Sequence, residues 1–507
     1  MLMLEFILAL LPIIWLVIAL CVIKMQGYKA CMIAVLVSAA VGMLYFKLNL
    51  MNTVTGAVEG IINALWPICA VIIAALFVYE LTLETKAMDS IKAMLSGVSS
   101  NKMIVLLIIV WGFGNFMEGM AGFGTAVAIP AGILVAMGYD PIPTVIACLI
   151  VNSTPTAFGS VGVPTTTIAQ VTGLNATAVS GSIVLLQFIL TFIAPFVMII
   201  IVGRGVKALK GVWPIALISS LSFIIPQYVA AKFIGPELPN ILGSVVCMIC
   251  TVIAGIVYEK KHPDKDAEQS EAMKDLTVKK ALVAWSPFIL IFVLLLFTSS
   301  IFPALHNPIA KVASQVTVYT GKNPNTLTLS WLDCPGVKIF IAGIIGGLIQ
   351  GASFGRIMGV FWRTFKANIK TIITICSVLA TAKIMGYSGM ISAMAAFLVA
   401  VTGSFYPAIS PLIGMIGGFV TGSGTSTAVL FGKLQTDTAA AIHVNPDLLA
   451  AANLMGAGIG KAISPQGIAI GCAASGLAGH ESTVLSRVLK FALIYVVIAG
   501  IITYVIV

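Results

Sequence analysis

Residues 179–202 run without a single charged side chain, and a helix needs about 20 predominantly apolar residues to cross the hydrocarbon core of a bilayer. Comparable apolar runs recur at about 1–23, 30–46, 60–79, 212–233, 238–258, 281–303, 338–352, 371–386 and 488–507. Of the 507 residues 59% are hydrophobic and 9% charged, against about a quarter charged in an average soluble domain. A soluble fold is excluded, and the expected class is an all-α polytopic membrane protein with about 12 transmembrane helices. The net charge of +10 sits in short loops between apolar runs, so it reads as an orientation signal and not as a nucleic-acid surface. The natural partner is the lipid bilayer. Glu5 stands where a signal peptide would be basic, and the first run exceeds a signal core, so a first span is expected there. The cysteines are scattered mostly in apolar stretches and imply neither disulfides nor zinc; Cys247 and Cys250 read as packing residues.

Sliding the chain on itself by about 300 residues aligns Ile68-Cys-Ala-Val with Ile375-Cys-Ser-Val, Ala87-Met88 with Ala393-Met394, and Gly122-Phe-Gly-Thr-Ala-Val with Gly424-Thr-Ser-Thr-Ala-Val. Asn152, Gly162-Val-Pro and Gly173-Leu174 follow in the same order as Asn453, Ile463-Ser-Pro and Gly476-Leu477. Colinearity points to two copies of one unit: a first repeat at 1–210, linking helices and a charged loop at 211–280, and a second repeat at 281–507. Lys24, Lys29, Lys86, Lys92 and Lys102 place their loops in the cytoplasm and both termini outside. In the second copy Arg356, Arg363, Lys366 and Lys370 fall one loop earlier in the pattern. The copies are therefore expected to insert upside down relative to each other, with re-entrant hairpins near 103–138 and 405–440. Inverted repeats with matching broken helices characterise secondary transporters, whose site lies at the midplane.

The first broken region reads Gly112-Phe-Gly-Asn-Phe-Met-Glu-Gly-Met-Ala-Gly-Phe-Gly124, followed by Asn152-Ser-Thr-Pro-Thr156 and Gly159-Ser-Val-Gly-Val-Pro-Thr-Thr-Thr167. The second reads Thr421-Gly-Ser-Gly-Thr-Ser-Thr427, then Asn453 and 456–466. Each helical Gly costs about 1 kcal/mol and each Pro about 3, and unwound backbone at membrane depth is tolerated only where it lines protein or a watery cavity. The glycines Gly119, Gly122, Gly124, Gly422 and Gly424 are read as breaks exposing N–H groups and half-helix N-termini that favour an anion; the bland alternative is close helix packing. Asn152, Thr154, Ser423, Thr425, Asn453 and Gln466 supply hydrogen bonds for a bound oxyanion. Two ionisable residues lie among small and apolar neighbours: Lys461, expected to face the anion's carboxylate, and Glu118, expected to carry a coupling proton. Intramembrane charges cost roughly 2.5 kcal/mol or more and are usually functional, although the two could instead neutralise each other as a structural pair. Asp140 before Pro141 reads as a helix end, Asp437 and His443 as solvated, and Lys383 as snorkelling from a span end. No metal site, P-loop or nucleophile elbow occurs. An intramembrane enzyme or an ATP-driven pump is disfavoured, and no cofactor is expected beyond a coupling ion, H⁺ or alternatively Na⁺.

With Asn115-Phe-Met-Glu-Gly-Met-Ala-Gly-Phe-Gly-Thr125, Thr421-Gly-Ser-Gly-Thr-Ser, Leu430-Phe-Gly-Lys-Leu-Gln435 and Gly460-Lys-Ala-Ile-Ser-Pro-Gln-Gly-Ile-Ala-Ile470, the chain resembles the L-lactate permease family over nearly its whole length. The resemblance implies proton-coupled uptake of lactate, D-lactate and glycolate across a bacterial inner membrane. It also implies re-entrant hairpins and, in some grouped transporters, homodimers with an elevator movement; a dicarboxylate or another organic anion is the alternative cargo. Familiar members carry Asp within the Thr-Gly-Ser-x-Thr-Ser stretch where this chain has Gly424, a departure that bears on any role for a second carboxylate and on the substrate range.

Overall fold

The computed structural model describes residues 2–23, 25–122, 124–261, 277–299, 301–321, 324, 326–477 and 480–507. The centre of the charged linker, 262–276, lies outside the described residues, as do Lys24, Phe123, and Lys322, Asn323 and Asn325 of the second polar loop.

The chain begins with α1 (Leu2–Val17), α2 (Gly27–Leu44), α3 (Leu50–Asn63), α4 (Ala70–Glu84) and α5 (Ala87–Ser96). Next, α6 (Lys102–Leu106) runs through a π-helical stretch, Leu107–Gly114, into α7 (Asn115–Met120), and α8 (Thr125–Ala136), α9 (Pro141–Val151), α10 (Gly159–Thr172) and α11 (Ala176–Val202) follow. α12 (Trp213–Phe233) and α13 (Pro239–Lys261) lead to the linker, after which come α14 (Val278–Phe297) and α15 (Pro303–Ala310). A two-stranded antiparallel hairpin, β1 (Ala313–Thr317) with β2 (Thr326–Ser330), then precedes α16 (Pro335–Ile349), α17 (Phe354–Ala367), α18 (Ile369–Ser388) and α19 (Met390–Thr402). The chain ends with α20 (Tyr406–Thr421), α21 (Gly424–Ala441), α22 (Pro446–Ala462), α23 (Pro465–Ala474) and α24 (Glu481–Ile506). Among the described residues ten helices are long and apolar enough to cross a membrane, or eleven if the bent pair α9 and α10 forms one span. The expected polytopic helical protein is observed. Among the described residues the β-hairpin is the one departure from all-helix, and its period-two sequences, Ala-Ser-Gln-Val-Thr and Thr-Leu-Thr-Leu-Ser, carry the strand signal that the surrounding turn residues hid.

Element order repeats. The series α19 to α24 matches α5 through α11 in succession, with a helix pair meeting at a glycine tip in each half: Gly122 at φ +63° and Gly422 at φ +64°. Only glycine adopts this left-handed geometry without strain. The next helix in each half opens with a capped proline. Asp140 accepts from the Ile142 N–H at 3.3 Å before Pro141, and Asn445 accepts from the Asp447 N–H at 2.9 Å before Pro446. Asp140 is thus the helix-end residue the sequence suggested, and it also pairs with Arg204.

The glycines of 456–466 behave differently from expectation. Unwinding was expected there, yet α22 runs unbroken through Ala462 and the break falls at Ile463 and Ser464. The reason is close packing. A Cβ at Gly456 or Gly460 would lie 1.9 or 2.0 Å from the carbonyl oxygen of Pro411 or Met415, and one at Gly414 or Gly418 would lie 2.1 Å from that of Asn453 or Ala457. These glycines let α20 and α22 touch backbone to backbone, the small-residue contact that drives helix association in lipid.

A second correction concerns Lys383. It does not snorkel: its Nζ donates to Glu59 Oε1 at 2.6 Å, and the Tyr387 hydroxyl donates to the same oxygen at 2.8 Å. Glu59 is fully buried on α3, and Gly60 beside it abuts the Ala380 backbone of α18. The basic segments of the two halves also meet on one face. Arg356 and Arg363 donate to Glu84 at 3.0 and 3.1 Å, and Lys370 lies over the Tyr28 ring. The charge pattern had assigned these loops to the same side of the bilayer.

Candidate functional site

Four chain breaks converge on one cavity of about 540 Å³. They are the tips between α7 and α8 and between α20 and α21, the bend between α9 and α10, and the turn between α22 and α23. Within the first turn of α10, Ser160, Val161 and Gly162 all take left-handed backbone angles that extend the bend into the helix, and the Ser160 hydroxyl donates to the Ala121 carbonyl at 2.8 Å, tying this break to the first tip. The tip glycine Gly122 packs directly against this serine, and Gly422 packs against Gln466 of α23 in the corresponding place.

Two of the breaks end in capped helix N-termini. Ser423 caps α21 by accepting from the Ser426 N–H at 3.2 Å, and Ser464 caps α23 by accepting from the Gly467 N–H at 3.1 Å. First-turn N–H groups have no partner inside their helix, and the aligned peptide dipoles add partial positive charge there. With Ser423, Thr425, Ser464 and Gln466 all lining the cavity, its polar side is built to receive an anion. The facing wall is different in kind: Leu16, Cys31, Ile72, Ile375 and Val378, from α1, α2, α4 and α18, present apolar surface.

At the centre of the polar side Lys461 Nζ donates to Glu118 Oε1 at 2.5 Å. Lys461 comes from the last turn of α22 and Glu118 from α7, so the pair bridges the two halves. Their side chains are 10% and 2% exposed. Glu118 Oε2 has no hydrogen-bond partner, and neither does Asn152 Oδ1. Gly159 leaves room for the carboxylate, since a Cβ there would lie 2.6 Å from Oε1. Removing a buried charge's partner typically costs several kcal/mol, so whatever displaces Glu118 from Lys461 must bring negative charge of its own.

Of the residues singled out from the sequence, Glu118, Gly122, Gly124, Asn152, Gly422, Ser423, Gly424, Thr425, Lys461 and Gln466 line the cavity. Thr154, Asn453 and Gly119 do not. The Thr154 hydroxyl bonds back to the Val151 carbonyl; Asn453 is buried in α22, accepting from Gln435 at 3.4 Å; Gly119 packs on Asn240 of α13. Thr156, Ser160, Thr421, Ser426 and Ser464 join the lining. They belong to the same Ser/Thr-rich segments, and only their facing, which segment composition does not reveal, sets them apart. Asp437 forms an i,i+4 pair with Lys433 at 2.7 Å on α21, away from this lining. A Cβ at Gly424 would meet Thr156 and Pro164 at 3.0 and 3.4 Å. An acidic side chain there would therefore enter at the seam between the start of α21 and the break around α10.

The sequence matches the family model described as L-lactate permease over residues 5–507. It is 43% identical to an L-lactate permease of Streptococcus iniae, over 89% of this chain and 94% of that protein. It is 34% identical to glycolate permease GlcA of Escherichia coli, over 98% of this chain and 94% of that protein. Among solved structures it aligns with Neisseria gonorrhoeae MtrF at a TM-score of 0.49 and 12% identity, over 94% of each chain. With a family match running from the first span to the last residue, this multi-pass membrane protein belongs to the L-lactate permease family.

Proposed function

We propose that the protein is a secondary transporter that imports L-lactate and related 2-hydroxymonocarboxylates such as glycolate and D-lactate with a proton, across a bacterial cytoplasmic membrane, with no catalytic step of its own. The relatives named for lactate and glycolate support the cargo. The observation that carries the mechanism is the Glu118–Lys461 pair inside a cavity ringed by helix N-termini.

Charge balance gives the coupling. In the empty carrier Glu118 is a carboxylate that neutralises Lys461. When a proton arrives on Glu118 Oε2, the atom without a partner, Lys461 is released and can bind the carboxylate of lactate. Empty and fully loaded sites are then both neutral. A site holding only the proton carries one positive charge, and a site holding only the anion carries one negative charge. Taking an uncompensated charge through the membrane interior costs roughly 2.5 kcal/mol or more, which suppresses either half-loaded crossing about sixtyfold or more. Slippage is thereby limited in both directions. The first-turn N–H groups of α21 and α23 share the carboxylate, and Ser423, Thr425, Asn152 and Gln466 hold the 2-hydroxyl. The remaining apolar wall lets the loaded hairpins move past α1, α4 and α18 without breaking hydrogen bonds. In this reading the working halves are 1–210 and 281–507, joined by 211–280.

The test is uptake of labelled L-lactate, D-lactate and glycolate into proteoliposomes with pH and sodium gradients imposed separately. Accumulation driven by the pH gradient alone is expected. Accumulation that follows only the sodium gradient would replace the coupling ion, and no carboxylate uptake under either gradient would overturn the reading.

A further inference from the structure

The cavity does not end at Lys461. Its lining continues to Gln26, Gly27 and Tyr28, at the start of α2, and to Lys370, Thr371 and Thr374, at the start of α18. At this mouth two ammonium groups share one aromatic ring: Lys370 Nζ lies 5.8 Å and Lys29 Nζ 5.9 Å from the centroid of Tyr28. Both lysines are exposed. Neither has a carboxylate partner among the described residues, although the neighbouring Arg356 and Arg363 are both matched by Glu84. Two like charges drawn to one ring repel each other, and an anion placed between them relieves that repulsion. Thr371 lies beside them, and Thr374, whose hydroxyl donates to the Lys370 carbonyl at 2.8 Å, stands one turn further in.

We propose that Lys29 and Lys370, gathered about Tyr28, form a second anion station at the cavity mouth that holds a small carboxylate between bulk water and Lys461. This rests on the transport reading for its purpose but not for its chemistry. Clefts lined by one sign of charge concentrate counter-ions. By the charge pattern this mouth faces the cytoplasm, so the station would hold carboxylate released from Lys461 on its way to bulk water, and would do so only where screening is weak, since at about 0.1 M salt the Debye length is about 10 Å. A phospholipid headgroup offers the same anionic chemistry. We commit to the soluble carboxylate, because both lysines flank a ring that lines the cavity.

The experiment measures the rate at which an amine-reactive reagent acylates Lys29 and Lys370, by mass spectrometry, on full-length protein in zwitterionic vesicles with and without L-lactate. Lactate should slow acylation of both lysines about threefold or more at low ionic strength, and the protection should vanish in concentrated salt. It should persist in Lys461→Met, which removes the inner cation, or in the Glu118→Gln/Lys461→Met double variant should the single one not fold. It should be lost at Lys29 in Lys370→Gln and kept in Lys370→Arg. Protection absent at low salt, or present only when Lys461 is intact, would overturn the station. So would lysines that react slowly without lactate once anionic lipid is added, and no further on its addition. Protection in a protein that moves no lactate would leave the station standing and remove the transport reading; transport without protection would do the reverse.

Discussion

Replacing Lys461 by methionine keeps most of the aliphatic stem and removes the charge that pairs with Glu118 among the described residues. Glu118 is 2% exposed, its Oε1 has Lys461 as hydrogen-bond donor, and its Oε2 already has none. Breaking a buried pair from one side costs about 3–5 kcal/mol. Glu118→Gln should cost less, about 1–3 kcal/mol, because Lys461 sits at the cavity and its flexible stem can turn the ammonium toward water. If the two effects were independent, the double variant would lose about 4–8 kcal/mol. Removing both charges together instead leaves no orphan, so the double variant should lie within about 2 kcal/mol of the parent. The assay is reversible denaturant unfolding in micelles, followed by circular dichroism, with and without lactate. In concentrated salt, which screens the exposed lysines at the cavity mouth, lactate should stabilise the parent and neither Lys461 variant. Additive losses in the double variant would show that the pair is not coupled, and lactate stabilisation of Lys461→Met would show that the ammonium does not bind the anion.

Three further outcomes follow from particular contacts. Gly460→Ala should cost at least about 1–3 kcal/mol or abolish folded yield, since its Cβ would meet the Met415 carbonyl at 2.0 Å; Gly355→Ala, with nothing within 4 Å on α17, should be neutral or stabilising in the same unfolding assay. Burial in the turn between α12 and α13 pushes the Glu237 carboxyl up from its ordinary value, against the opposing pull of its own backbone N–H, Lys338 and His306. The folded state then holds its proton to higher pH than the unfolded chain, so stability falls as pH rises above the ordinary carboxylate range. Glu237→Gln should remove that fall while leaving stability at pH 4 unchanged, as read from a pH series of unfolding midpoints. In a background lacking native cysteines, a cysteine at Lys311 should label with an impermeant maleimide from outside and one at Gly355 only from the cytoplasm; the opposite pattern would invert the charge-based orientation.

The helical membrane class, the repeated element order and the cavity's charged centre were all legible in the sequence, because each rests on composition or on a coincidence between distant segments. Glu118 and Lys461 stood out through their apolar neighbours, and the structure joins them across 343 positions of chain. Glu59 was missed for the converse reason. Its polar neighbours, Asn52, Thr53, Thr55 and Asn63, made the stretch resemble a loop before a span beginning near residue 60, whereas α3 starts at Leu50. Its partner Lys383, with no acidic residue near it in sequence, reads as snorkelling from a span end. Glycine is ambiguous in sequence. Gly122 and Gly422 break helices, Gly456 and Gly460 let helices touch, and the composition of the two segments is nearly the same. What separates them is the facing backbone, which comes from α20, a helix about 40 residues earlier in the chain. Facing also separates Thr154 from Thr156: both hydroxyls bond back to a nearby carbonyl, of Val151 and Asn152, yet only Thr156 lies against the cavity.

The central claim is that Glu118 carries the proton whose arrival frees Lys461 for the anion. Glu118→Gln keeps the shape and removes the titration. With lactate bound, its site is neutral and can cross; without lactate, Lys461 is left as a lone cation and cannot return. Proteoliposomes bearing this variant should therefore exchange internal for external labelled lactate at a rate comparable to the parent. They should fail to accumulate lactate when a pH gradient is imposed, and exchange should be independent of pH. Continued accumulation driven by the pH gradient would contradict the account by placing the coupling proton elsewhere, and loss of both exchange and accumulation in a folded protein would reduce Glu118 to a structural partner of Lys461.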